Sequence, residues 1–85
     1  MEQVFTVKSE SGIHARPATR LVQVANTFPC EIHIETKGKK VNAKSIMGIM
    51  SLAARKGDEL KVIAQGDQAA QAIQALGEVI EAIED

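Results

Sequence analysis

Residues 31–42 read EIHIETKGKKVN, and this stretch decides the fold. Glu31 to Glu35 alternates strictly, placing Ile32 and Ile34 on one side, as a half-buried strand does. Lys37-Gly38 supplies a turn, and Lys39 to Asn42 returns as a second short strand, so the pair predicts a hairpin. Such a sheet is wet on one face and needs cover on the other.

Working outward, Gln3 to Lys8 (QVFTVK) predicts a strand with Phe5 and Val7 on one face. Ser9 to Ala15 is a polar, glycine-containing loop. Pro17 fits the first turn of a helix, where its missing N–H is no loss. Ala18, Leu21, Val22 and Ala25 then recur at helical spacing, which carries this helix to about Thr27, with Pro29 as its stop. Beyond the hairpin, Asn42 to Ser45 leads into a short helix over Ile46 to Ala53. Gly57-Asp58 turns the chain into a strand over Glu59 to Gln65, with Leu60, Val62 and Ala64 on one side. Gly66 breaks that strand, and Asp67 suits an N-cap. Ala69, Ile73, Leu76, Ile80 and Ile83 then step by 4, 3, 4 and 3, an amphipathic final helix. The order β-α-β-β-α-β-α predicts an α+β two-layer open-faced sandwich, and its connections permit an antiparallel sheet.

Composition bounds the function. At 85 residues, 45% hydrophobic and 25% charged, the chain is expected to form a single domain over residues 1–85. A net charge of −1 gives no general attraction to nucleic acid or anionic lipid. Phe5 and Phe28, the two aromatics, offer little for base stacking, so Lys37, Lys39, Lys40 and Lys44 read as a solvated hairpin and its flank. No apolar run nears the roughly 18 residues of a membrane span, so no membrane insertion is expected. Met1 leads straight into the first strand, so no signal peptide is expected and the cytoplasm is the default location. Cys30, the single cysteine, permits no internal disulfide. Cys30 and His33 are two candidate ligands and fall short of a closed metal site, so no metal is expected and Cys30 reads as a buried or half-buried thiol.

Three features bear on chemistry. The first is GIHARPATR, residues 12–20, where His14 stands immediately before the helix start. A lone loop histidine is ordinarily solvated and inert, but this one lies where unpaired N–H groups and about half a positive charge collect. Because Pro17 has no N–H, the donors facing an anion are mainly those of Ala15, Arg16 and the next residues, and Arg16 adds a permanent cation. Imidazole is substantially neutral, and so nucleophilic, near neutral pH. A helix terminus contributes about 0.3–1 kcal/mol to a nearby anion and about 2 kcal/mol at best, a bias of up to about thirtyfold. A phosphoryl group could be seated there and still leave. No Asp or Glu lies between Ser11 and Glu31 to activate water, which fits a transferable intermediate better than a phosphatase.

The second feature is the short helix. Ile49 and Leu52 share one side while Ile46, Met47 and Met50 cluster on another, so burial of the first pair leaves the second at least partly exposed. Methionines there either fill core gaps or form a soft docking patch. The third is Ser45, directly before that helix, whose plain role is an N-cap. A phosphate on it would bring about −1.5 to −2 charges to the rim of the apolar patch.

The segments GIHARPAT and KKVNAKSIMGIMSL resemble the active-site and regulatory-serine signatures of the HPr family, the histidine-containing phosphocarriers of the bacterial phosphoenolpyruvate-dependent sugar phosphotransferase system. Their spacing and the chain length agree with that family. The resemblance implies four antiparallel strands with three helices on one face. It implies a carrier, not an enzyme: His14 accepts a phosphoryl group on Nδ1 from phospho-enzyme I and passes it to sugar-specific IIA components, without a cofactor. It further implies that Arg16 assists transfer, that Ser11, Ala15 and Pro17 shape the seat, and that Thr19, Ile46, Met47 and Met50 dock partners. Ser45 matches the serine modified by an HPr kinase/phosphorylase, whose product is corepressor for a catabolite control regulator. The segments KGKKVNAKSIMG and VIAQG also resemble a paralogue, the catabolite-repression HPr-like protein, which keeps the serine signature but lacks the histidine. A mainly regulatory module acting through phospho-Ser45 is therefore the alternative.

Overall fold

The computed structural model describes residues 1–83 and contains four strands and three helices. The order is β1 (Glu2–Thr6), α1 (Ala15–Ala25), β2 (Glu31–Thr36), β3 (Lys39–Asn42), α2 (Ile46–Ser51), β4 (Glu59–Gln65) and α3 (Ala69–Ala82). All three strand pairings are antiparallel, in the spatial order β1-β4-β2-β3. The expected hairpin forms with Ile34 opposite Val41, and β4 inserts between β1 and β2. The fold is the expected open-faced sandwich.

Alternation explains the layers. Phe5, Ile32, Ile34, Leu60, Val62 and Ala64 point inward and are buried, beneath Leu21, Ile49, Leu76 and Ile80 of the helices. Each large apolar side chain removed from water in this way contributes about 1.5–3 kcal/mol. The opposite face stays wet, where Lys61 reaches Glu2 at 3.4 Å and Glu35 at 3.7 Å. Gly77 lets α3 lie close on the sheet: a Cβ there would stand 2.2 Å from Phe5 Cε1 and Cζ.

Element ends depart from expectation for local reasons. β1 ends at Thr6, not Lys8, because Val7 exchanges hydrogen bonds with the turn before β4: its N–H donates to Asp58 O at 2.9 Å and its carbonyl accepts from Gly57 at 2.8 Å. α1 opens at Ala15, two residues before Pro17, and stops at Ala25 instead of Thr27. The amides of Thr27 and Phe28 reach only the third carbonyl back, while the Asn26 and Thr27 side chains donate to Val22 O and Val24 O. These tightened turns end the helix before Pro29. α2 ends at Ser51, short of Ala53, because Leu52 and Ala53 also bond three residues back and Ala53 turns left-handed at φ 50°. The cap of α3 is Gln68 at φ 65°, not Asp67, and it makes no side-chain capping bond. Its carbonyl nevertheless accepts from Ala72 at 2.9 Å.

Candidate functional site

The loop before α1 is held from below. Gly12 takes φ 66° and donates to Ser9 O at 3.1 Å, and the buried Ile13 donates to Ala54 O at 3.1 Å. Ser9 is itself buried, and its Oγ accepts from the Ser11 amide at 3.2 Å. The buried Pro17 anchors the other side of His14. Between these anchors the His14 side chain is exposed.

His14 is the N-cap of α1, in extended conformation, and its imidazole makes no capping bond. Its carbonyl accepts the first intrahelical bond, from Ala18 at 3.0 Å. The N–H groups of Ala15 and Arg16 precede that bond and have no carbonyl one turn back, and Pro17 has no N–H to offer. Two backbone donors therefore open the helix directly after the imidazole. Thr19 is half-buried and spends its hydroxyl proton on Ala15 O at 2.9 Å, which leaves its oxygen able to accept only.

An open cleft gathers Ser11, His14, Arg16, Pro17 and Thr19 along one side of α1. Arg16 is exposed and lines the same cleft as His14, so its charge stands in the water of that cleft. The cleft also contains Arg20 and Gln23, which sequence reasoning missed. Arg20 was legible as the residue one turn beyond Arg16, on the same face. The far wall is Val79, Ala82 and Ile83 of α3, which no local motif could have disclosed. No carboxylate lines the cleft among the described residues. The arrangement offers an accessible nucleophilic ring, two amide donors and fixed positive charge, without a base to activate water.

Ser45, at the N-cap of α2, and Ile46, Met47 and Met50 on it lie outside this cleft, and α2 packs beside α1. Ile49 and Leu52 are buried, whereas Ile46 is 41%, Met47 79% and Met50 42% exposed, the partition expected from the spacing. Ser45 caps α2, its Oγ accepting from the Gly48 amide at 3.1 Å. Lys44 turns away from it and donates to Phe28 O at 2.8 Å.

Cys30 is buried, and His33 is half-buried on the opposite, solvent face of the sheet. Among the described residues no group of three or more His, Cys, Asp and Glu side chains converges as metal ligands. No helix of the described chain is long and apolar enough to cross a membrane.

The family model described as the phosphotransferase-system HPr component phosphorylation site matches residues 1–82. The phosphocarrier protein HPr from Bacillus anthracis is similar, at 43% identity and a TM-score of 0.90, covering 95% of this chain and 96% of that one. HPr from Thermoanaerobacter tengcongensis matches at 48% identity and a TM-score of 0.89, over 94% and 90% of the two chains. Crh, the catabolite repression HPr of Bacillus subtilis, matches at 43% identity and a TM-score of 0.73, over 98% and 99%.

Proposed function

The chain belongs to the HPr family of the sugar phosphotransferase system, and we propose that His14 accepts a phosphoryl group from phospho-enzyme I and delivers it to sugar-specific IIA components. The observation that carries this reading is an exposed imidazole at the N-cap of α1, beside two open amides and Arg16, with no carboxylate in the cleft among the described residues. In the forward step His14 Nδ1 attacks phosphorus, a P–N bond forms, and the donor leaves with the electron pair of its own bond to phosphorus. The Ala15 and Arg16 amides and the Arg16 guanidinium balance the charge on the phosphoryl oxygens. Ser11 and Pro17 hold the shape of the seat. The same weak, solvent-open stabilisation lets the group leave for an acceptor. The protein acts as a carrier and is itself the covalent intermediate.

Incubation with phosphoenolpyruvate and enzyme I tests this. Wild type becomes labelled through an acid-labile bond, and His14→Ala does not. Label that persists in His14→Ala would overturn the assignment.

A second reading concerns Ser45. Its capping bond to Gly48 and the exposed Ile46 and Met47 that follow support a switch in which an HPr kinase/phosphorylase modifies Ser45. The added dianion favours the helix terminus and recharges the rim of the docking patch, where Thr19, Ile46, Met47 and Met50 meet partners, so partner choice changes while the fold stays intact. A catabolite control regulator should bind the kinase-treated protein more tightly than the untreated one, and Ser45→Ala should abolish the difference. The alternative, a mainly regulatory module, requires that difference together with failure of enzyme I to label His14. Both activities belong in the cytoplasm, with no direct contact to nucleic acid.

A further inference from the structure

We propose that Arg20 is a docking residue for phosphotransfer, pairing with a carboxylate on the protein that approaches the His14 cleft and thereby setting which partners transfer quickly. The inference rests on the carrier reading above. Arg20 is exposed and lines the same cleft as His14 and Arg16. It lies four residues beyond Arg16, about 6 Å further along the helix axis. α1 contains no acidic residue, and no carboxylate of the described residues stands within ion-pair distance of Arg16 or Arg20.

Elsewhere most lysines find a partner within the chain, Lys39 and Lys44 at the carbonyls of Ser51 and Phe28. Lys8, Lys37, Lys56 and Lys61 each meet a carboxylate of this chain. The cleft therefore gathers two arginines, Arg16 and Arg20, that no carboxylate of the described residues meets. Arg16 and the two amides next to His14 already supply the anion seat, so a phosphoryl group does not account for Arg20. A carboxylate at the edge of an approaching protein does. Rim charges of this kind act chiefly on encounter rate and on discrimination between partners.

The test compares wild type, Arg20→Gln, Arg20→Lys and Arg20→Glu in phosphotransfer from enzyme I and in binding of unphosphorylated protein to enzyme I. At low salt, Arg20→Gln should lower kcat/KM and affinity by about threefold to tenfold through KM, with Arg20→Glu worse and Arg20→Lys close to wild type. In 1 M salt, where the screening length falls to about 3 Å, the four proteins should converge. The spontaneous hydrolysis rate of phospho-His14 should be the same in all four.

Equal rates and affinities at low salt would overturn the proposal, as would a loss that persists unchanged in 1 M salt. A fall in saturating rate with faster hydrolysis would instead make Arg20 a ligand of the phosphoryl group. Normal labelling of wild type together with unaffected Arg20 variants removes this inference alone. Absence of both labelling and binding in wild type removes the carrier reading and this inference with it.

Discussion

The Ile13 amide donates to the Ala54 carbonyl at 3.1 Å, fastening the loop that ends in His14 to the loop that leaves α2. Two segments about forty residues apart in sequence thus fix the backbone from which the His14 side chain projects. Gly12 makes the approach possible, since a Cβ there would lie 2.2 Å from Ala54 O on a backbone already at φ 66°.

Gly12→Ala should therefore destabilise the protein by about 2–3 kcal/mol, combining left-handed strain with displacement of the Ala54 carbonyl. Urea denaturation measures the loss. Where the variant is still folded, phosphotransfer should be slower, because the loop no longer holds His14 in place at the start of α1.

The opposite substitution at the neighbouring strained residue should help. Ala53 holds φ 50°, which glycine adopts without a Cβ penalty. Ala53→Gly should gain about 0.5–1 kcal/mol, the relief of strain outweighing the extra freedom of the unfolded chain. A higher thermal midpoint with unchanged labelling of His14 is the expected result.

Gly77→Ala should lose stability although alanine is the better helix former by about 1 kcal/mol. The added methyl meets the Phe5 ring at 2.2 Å, forcing α3 off β1 or Phe5 out of its place. Overpacking costs about 1–3 kcal/mol, so the net change is a loss. Pairing it with Phe5→Leu should restore part of that loss, which chemical denaturation of both proteins would show.

Asp58 accepts a hydrogen bond from the Arg55 amide at 2.8 Å and pairs with Lys37 at 3.0 Å. The amide first, then the lysine, hold its carboxyl below the ordinary value of 3.8. A lowered native pKa contributes stability that is fully present above the unfolded value and disappears as pH falls through the native one. The Asp58 resonances should titrate with a midpoint below 3.8, and stability should drop in that acid range less steeply in Asp58→Asn. A midpoint at or above 3.8 would contradict this geometry.

Much of the molecule was legible in its local patterns. Period two in EIHIE and ELKVIAQ, and period 3.6 in the last helix, follow from which side of an element must leave water, so they name the elements and their inner faces. The partition of Ile49 and Leu52 from Ile46, Met47 and Met50 follows from the same geometry. Element ends were less legible, because competing local bonds decide them: Thr27 and Ala53 bond three residues back, and Gln68 displaces Asp67 as a cap. Arg20 was overlooked because one cation on an exposed helix face carries no chemistry until something else shares its cleft.

What the sequence determined by itself was the set of elements, the side each one buries, the placement of His14 at a helix start, and Ser45 as a cap. These depend on neighbours within one or two turns, and short-range sterics and hydrogen bonding suffice to set them. Tertiary structure alone decided that β4 runs between β1 and β2, that the end of α3 walls the His14 cleft, and that Ala54 holds the loop beneath the imidazole. Those relations join residues far apart along the chain. They exist only when burial of the shared apolar face brings the layers together, and no local pattern encodes which distant backbone group will then lie within hydrogen-bonding reach.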